Sequence, residues 1–369
     1  MRYIALGDSD IELSVLGYGT GTGFKPDGAQ HEKHLIKLIH TALENDINWI
    51  DTAESYFDGY SESVVGKVLV NNTELKVSTK FSPQNARPKE LREALEGSLR
   101  RLKREYVDIY NFHWPNTNFL IEKTFDVLLE LKEEGKIRSI GVSNFSRQLL
   151  EKIHSFAPEC VVAHQFEYNL FNRLAESELF SYHKKHAISN VGYSPIKGLG
   201  PLVRESPKSV LLENLAAKYN VTPHLIALNF LTSISPVNTA LIMSSTKANH
   251  ISQNIQAFDF CIEEEDVKLI NDEFHLRVEQ IEMHRIKLIN GSDYPVYETL
   301  REAQDNHIGL MPGPNELAKE YQNGNVQIPV KVKPIAGTDY YQLVGGMVRY
   351  WGWYLAFEGK RKVKAVVLD

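Results

Sequence analysis

Ile47-Asn48-Trp49-Ile50-Asp51-Thr52-Ala53-Glu54-Ser55-Tyr56 starts as a short apolar run and ends in chemically capable side chains. The pattern returns in Leu75-Lys76-Val77-Ser78-Thr79-Lys80 and in Val107-Asp108-Ile109-Tyr110-Asn111-Phe112-His113. Short apolar runs rich in β-branched and aromatic residues read as buried strands. The spacing predicts strands at 15–19, 47–51, 75–80, 107–113, 137–142, 161–165, 188–193 and 239–243. Helical patterns lie between them. Leu91, Leu95, Leu99 and Leu102 share one helical face within 89–103, and Phe125, Leu128, Leu129 and Leu131 repeat this within 119–134. Glu134-Gly135-Lys136 is a helix stop with glycine as the cap. Strands alternating with helices imply an α/β fold on a parallel sheet, and eight such units imply closure into a (β/α)8 TIM barrel. The opening segment, with a turn at Gly7-Asp8-Ser9-Asp10, reads as a hairpin ahead of the first barrel strand.

The chain has 369 residues, 43% hydrophobic and 24% charged, an ordinary globular composition with room for a large domain and a smaller one. A net charge of −6 offers no general attraction to nucleic acid or an anionic membrane. Cys160 and Cys261 both sit among apolar neighbours in sequence and read as reduced core residues, too few for a disulfide framework. The start, Met1-Arg2-Tyr3-Ile4-Ala5-Leu6-Gly7-Asp8, lacks the longer apolar run of a signal peptide. No stretch approaches the roughly 20 apolar residues of a membrane span. The expectation is a cytoplasmic protein.

Barrel enzymes carry their chemistry at the C-terminal ends of strands. Asp51, Lys80 and His113 end the second, third and fourth predicted strands, and Tyr56 follows within one loop. These types suit carbonyl reduction. Hydride arriving at a carbonyl carbon leaves an alkoxide that needs a proton from a placed acid. An isolated phenol, with a pKa of about 10, is a weak one. An adjacent ammonium favours the phenolate form, a carboxylate holds the ammonium in place, and an imidazole orients the carbonyl or shares the proton.

The residues from 1 to about 275 resemble an aldo-keto reductase. The motifs are Asp51-Thr52-Ala53 with Tyr56, Ser61-Glu62 with Gly66, Thr79-Lys80, His113-Trp114-Pro115, Gly135-Lys136-Ile137-Arg138, Gly141-Val142-Ser143-Asn144-Phe145 and Tyr193-Ser194-Pro195. The resemblance implies Tyr56 as general acid, Lys80 as the cation that tunes it, Asp51 as the partner of Lys80, and His113 as the orienter of substrate, with Trp114 beside it. No Gly-x-Gly-x-x-Gly follows the first strand, so a Rossmann fingerprint is absent. The resemblance instead implies a nicotinamide cofactor, NADP(H) with NAD(H) also accepted, across the barrel mouth. Gly19 and Thr20 would border it. Ser143, Asn144 and Gln165 would bond the carboxamide, and Tyr193 would stack on the ring. Ser194, Pro195, Ile196, Gly198 and Leu199 would wrap the pyrophosphate. Ser245, Thr246 and Lys247 would hold a 2′-phosphate, and Gln253 and Asn254 would meet adenine. Ser244 and His250 stand where relatives often carry stronger contacts, so a modest preference for NADP(H) is expected. No metal is implied.

The texture changes after about residue 280, where a domain boundary is placed: 1–280 for the barrel and 285–369 for an accessory unit. Turn clusters Gly291-Ser292-Asp293-Tyr294-Pro295 and Met311-Pro312-Gly313-Pro314-Asn315 precede strands at 326–332, 340–344 and 363–368, with an aromatic helix at 348–357. Tyr340-Tyr341-Gln342-Leu343-Val344-Gly345-Gly346-Met347-Val348-Arg349-Tyr350 resembles the nucleotide-binding box of ParB partition proteins and sulfiredoxins. Met347 and Val348 replace the Cys-His of sulfiredoxins, so the thiol chemistry is gone. Arg349 remains as a phosphate contact or a cap. Tyr350, Trp351, Trp353 and Tyr354 offer apolar area for this unit's core, for the barrel or for an oligomeric contact. Eleven Lys/Arg against nine Asp/Glu in 285–369 argue against a nucleic-acid partner. The expected partner is a small carbonyl or alcohol substrate, selected by the loops at 114–118 and 168–173 and the segment near Phe24. Asn116, Asn118, Asn169, Asn172 and Arg173 suggest a polar rim suited to a sugar or polar aldehyde. A reading from another class, a regulatory protein that senses dinucleotide and contacts a partner through its tail, is separated from this one by turnover on a carbonyl panel.

Overall fold

The computed structural model describes residues 1–21, 29–116, 119–200, 205–288, 297–306, 313–323 and 329–368. The segment near Phe24, Asn118, the turn at 291–295, Met311-Pro312 and the start of the strand expected at 326–332 lie outside the described residues. The described chain divides into two compact units. One takes Met1–Pro115, Ile121–Arg147 and Ile153–His275; the other takes Asn116–Leu120, Gln148–Lys152 and Leu276–Asp369.

In the first unit a hairpin of β1 (Tyr3–Ala5) and β2 (Glu12–Ser14) pairs antiparallel, turning at Gly7. Eight parallel strands follow: β3 (Leu16–Gly19), β4 (Trp49–Asp51), β5 (Lys76–Phe81), β6 (Val107–Phe112), β7 (Ile137–Ser143), β8 (Val161–Glu167), β9 (Ser189–Tyr193) and β10 (Thr239–Met243). Each pairs with its neighbour in sequence, and β10 returns to β3 to close the barrel. Closure leaves no edge strand and buries both faces, which is why the runs are nearly continuously apolar. Leu6, Ile11 and Leu13 of the hairpin join one buried cluster with Trp49, Ile109, Val162 and Ala240. The hairpin thereby plugs the barrel floor and leaves the opposite, C-terminal mouth for chemistry.

The helices follow from local chemistry. Helix Pro88–Leu102 starts on a proline, whose fixed φ suits the first turn, and buries Leu91, Leu95, Leu99 and Leu102. Helix Ile121–Glu133 buries Phe125, Leu128 and Leu131, and Gly135 ends it at φ 74. Helix Tyr60–Leu69 lies so close to helix Pro88–Leu102 that a Cβ on Gly66 would stand 2.2 Å from the Arg101 carbonyl. Within this contact Glu62 is fully buried, accepting from Thr79 Oγ1 at 2.5 Å and Arg101 Nε at 2.7 Å. The Ser61-Glu62…Gly66 motif is therefore structural: it clamps the loop after β4 to the barrel wall. Cys160 is buried as expected, but Cys261 is exposed, because its apolar run ends in a loop before helix Glu264–Glu273.

The second unit is a five-stranded sheet in the order β11-β15-β13-β14-β12, from β11 (Arg277–Ile281), β12 (Ile286–Lys287), β13 (Val330–Pro334), β14 (Tyr341–Gly345) and β15 (Val363–Val367). Helix Met347–Phe357 lays Tyr350 and Trp351 over Val330, Val332, Leu343, Val363 and Ala365. The anticipated strand–strand–helix–strand order is present, and β11 and β12 extend it. The boundary expected near 280 falls inside β11; the contacts divide at 275/276. β11 escapes a sequence reading because four of its five residues are not buried, so no apolar run marks it.

Candidate active site

The ladder positions the polar side chains. Asp51 is the last residue of β4, Lys80 the penultimate residue of β5, and His113 the residue after β6, its N–H bonded to the Phe81 carbonyl at 3.1 Å. Inward-facing residues alternate with outward ones along each strand, so Lys80 points into the mouth while its neighbour Thr79 reaches Glu62 outside the barrel.

Lys80 is fully buried. Its Nζ donates to Asp51 Oδ2 at 2.5 Å, to the Thr52 carbonyl at 2.8 Å and to Tyr56 Oη at 3.1 Å. Burial opposes its charge, but Asp51 and Tyr56 outweigh that and raise its pKa, so the ammonium is the resident form. Asp51 is held on its other oxygen by Ser78 Oγ and Gln165 Nε2, each at 2.9 Å. Three donors on a buried carboxylate meet the condition under which such a pair is tolerated. Tyr56 is half-buried, its ring 4.7 Å from Lys80 Nζ and edge-on to His113 at 5.7 Å. Burial, and then the Lys80 charge, push His113 down to about 3. The imidazole is neutral at physiological pH and can donate to a carbonyl oxygen.

The turn that presents Tyr56 is backbone-strained. Phe57 (φ 51) and Asp58 (φ 54) are left-handed, followed by Gly59 (φ 78). Non-glycine residues in that region persist where the surroundings over-determine them, often at functional sites. A Cβ on Gly21 would stand 2.6 Å from the Tyr56 ring, so the lack of a side chain at 21 is what lets this phenol sit there.

These groups open into a cleft of about 480 Å³. Of the residues expected at the site, Asp51, Tyr56, His113, Trp114, Gly19, Ser143, Asn144, Gln165, Tyr193, Ser194, Pro195, Ile196 and Asn254 line it together. Asn144 (φ 62) and Ser194 (φ 56) are also left-handed. Lys80 lies behind Tyr56 and Asp51. Thr20 turns away: its N–H and Oγ1 both go to the Asp51 carbonyl. Gly198, Leu199, Ser245, Thr246, Lys247 and Gln253 do not line the cleft. The 245–247 loop lies beyond Ser244 and is pinned from behind, with Tyr18 Oη on the Ser245 carbonyl at 2.9 Å and His34 Nε2 on the Thr246 carbonyl at 2.7 Å.

Gly21, Leu228, Ile242 and Met243 line the cleft without having been singled out as site residues, and Lys197, within the stretch expected at the pyrophosphate, and Ser244, at the position noted for weaker contacts, line it too. Leu228 sits on helix Pro223–Ser233, which is buried along most of its length, so no sequence periodicity marks a cleft face. The expected polar rim is not formed as read. Asn169 bonds Glu167, the Ser194 carbonyl and the Phe171 N–H, Asn172 bonds Glu167, and Arg173 bonds Glu176 and Asn271. These contacts hold the loop after β8; Asn116 is buried, and Asn118 lies outside the described residues.

The barrel has relatives among known proteins. Residues 15–273 match the family described as the Aldo/keto reductase family. Aldo-keto reductase YhdN of Bacillus subtilis is 36% identical over 208 residues, 53% of this chain and 62% of that protein. An aldo-keto reductase of Mycobacterium avium is 30% identical over 72% of this chain and 88% of its own, and methylglyoxal reductase DkgB of Escherichia coli O157:H7 is 30% identical over 70% and 92%. Among solved structures, a thermostable aldo-keto reductase, Tm1743, bound to the inhibitor epalrestat, is 32% identical with a TM-score of 0.68, covering 74% of this chain and 99% of that one. An aldo/keto reductase of Klebsiella pneumoniae solved with NADP and acetate is 25% identical with a TM-score of 0.66, over 71% and 92%. On its barrel, its buried Lys80–Asp51 pair and this match across 15–273, the chain belongs to the aldo/keto reductase family.

Proposed function

We propose that the barrel is an NADP(H)-dependent oxidoreductase that interconverts a small aldehyde or ketone and its alcohol, with Tyr56 as the general acid and base. The observation that carries this is the 3.1 Å contact between Lys80 Nζ and Tyr56 Oη at the cleft wall, backed by Asp51. The cleft suits a nicotinamide. Hydroxyl and amide groups of Ser143, Asn144 and Gln165 lie at adjoining strand ends with Tyr193 beside them, the donor and acceptor set a carboxamide and an aromatic ring require. When bound, the cofactor supplies or accepts the hydride. The remaining work belongs to the chain. Tyr56 Oη gives its proton to the developing alkoxide. The phenolate left behind is stabilised by the Lys80 ammonium, itself held by Asp51. Neutral His113 donates to the carbonyl oxygen and fixes its approach, and Trp114 lines the cleft beside it. In the alcohol-oxidising direction the same phenolate takes the proton back.

The relatives named methylglyoxal reductases make methylglyoxal the first substrate to try. NADPH oxidation with methylglyoxal and a panel of aldehydes, ketones and sugars tests the reading. Saturable turnover on one of them supports it; tight NADPH binding with no turnover on any favours a sensor. A cytoplasmic site of action accords with reduced cofactor as the co-substrate; among the described residues no helix is long and apolar enough to cross a membrane.

The second unit is proposed to be a ParB/sulfiredoxin-like accessory domain without catalysis of its own, available for an oligomeric contact. Gly346 (φ 84) starts helix Met347–Phe357, and Arg349 donates to the Pro329 carbonyl at 2.9 Å, a structural use of its guanidinium. ATP or CTP hydrolysis lost in Arg349→Ala would contradict this.

A further inference from the structure

A fully buried chain of hydrogen bonds runs through the barrel wall beneath the cofactor side of the site. His164 on β8, His183 on helix Phe180–Lys185 and Asn190 on β9 are each 0% exposed. Phe145 N–H meets His164 Nε2 at 3.1 Å, His164 Nδ1 meets His183 Nε2 at 3.0 Å, and His183 Nδ1 meets Asn190 Oδ1 at 2.6 Å. Asn190 Nδ2 then reaches Ser235 Oγ at 3.2 Å and Thr239 Oγ1 at 3.1 Å.

Both ends fix the direction of this chain. Thr239 gives its hydroxyl proton to the Val237 carbonyl at 2.9 Å, so it must accept from Asn190. The Asn190 amide nitrogen therefore faces Thr239, and its oxygen faces His183. His183 must then carry its proton on Nδ1 and leave Nε2 bare. His164 must carry its proton on Nδ1, which leaves its Nε2 bare. At the far end the Phe145 N–H can only donate, which demands the same bare His164 Nε2. The two ends agree, and every donor meets one acceptor. Burial keeps both imidazoles neutral, as this pattern requires; His183 adds to it at His164, and at His183 burial outweighs the opposing hydrogen bond to Asn190.

Phe145 follows Asn144 at the end of β7. Asn144 is left-handed, and its N–H goes to the Gln165 carbonyl at 2.8 Å. Its Nδ2 donates to the His113 carbonyl at 3.2 Å, and its Oδ1 accepts from Tyr193 Oη at 2.8 Å. One turn thus joins the residues assigned above to the nicotinamide. We infer that His164 and His183 are positioning residues: their directional relay fixes the Asn144–Phe145 turn and so sets the nicotinamide end of the cofactor site. This rests on the cofactor reading above.

The test compares NADPH with 2′-phospho-ADP-ribose, the same molecule without nicotinamide, by titration of the full chain. His164→Leu leaves the Phe145 N–H without an acceptor. It should raise the dissociation constant for NADPH about tenfold while leaving that for 2′-phospho-ADP-ribose within about twofold. His164→Gln, which can both accept and donate, should restore most of the NADPH affinity. His183→Leu, one step further along, should shift NADPH alone in the same direction and serves if His164→Leu does not fold. Equal weakening of both ligands, or unchanged NADPH binding in both leucine variants, would overturn the inference. A wild-type chain that binds neither ligand would overturn the cofactor reading beneath it.

Discussion

Lys80 shows how much chemistry one side chain organises. It is fully buried and bonded to Asp51, the Thr52 carbonyl and Tyr56. Removing one member of a buried pair strands the other charge, at about 3–5 kcal/mol. Lys80→Met should therefore lose most turnover and unfold at a clearly lower urea concentration; an unchanged urea midpoint would show that Asp51 does not depend on it. The grouping of Asp51, Lys80, His113 and Tyr56 was legible in the sequence because the first three close apolar runs and Tyr56 follows Asp51 within one loop. The supporting residues were not. Gly21 acts through the absence of a side chain, and the role of Ser244, bonded to the Gly19 carbonyl at 2.8 Å, depends on how β10 meets β3. Ser245, Thr246 and Lys247, proposed to meet the 2′-phosphate, form a short loop with one cation. A modest preference for NADP(H) over NAD(H) is expected from this loop. A preference for NAD(H) of about a hundredfold or more, roughly 2.7 kcal/mol, would contradict that assignment.

Among the elements, the barrel strands were legible to within a residue or two because closed parallel strands must be apolar on both faces. The strand read at 239–243 is β10, and that read at 107–113 is β6 with His113 just beyond it. β11 and β12 were not legible: one is a mostly exposed edge strand and the other has two residues, and pairing rather than composition defines them. Gly66 shows a motif whose meaning is packing. A methyl there would meet the Arg101 carbonyl at 2.2 Å, and overpacking of this kind costs about 1–3 kcal/mol. Gly66→Ala should lower stability in urea by that amount while leaving the KM for cofactor within about twofold. A stability equal to wild type would mean that the two helices part freely.

The whole molecule carries an acid liability. His183 is held down to about 4 by burial, and His113 to about 3 by burial and Lys80. The folded protein keeps both neutral, whereas the unfolded chain protonates them near the ordinary histidine value of about 6.5. Below that pH the unfolded state binds more protons. Their contribution to stability is thus complete above about 6.5 and falls as pH drops toward 4 and then 3. Urea midpoints measured from pH 7.5 to 4 should decline through this window, and less steeply in His183→Gln than in wild type; a flat profile would contradict the buried neutral imidazoles. The central claim, that Tyr56 moves the proton, is tested most directly by measuring NADPH-dependent carbonyl reduction and NADPH binding together in Tyr56→Phe. Turnover should fall by about 10²–10⁴-fold with the NADPH dissociation constant nearly unchanged. Retention of most of the wild-type turnover would contradict the account.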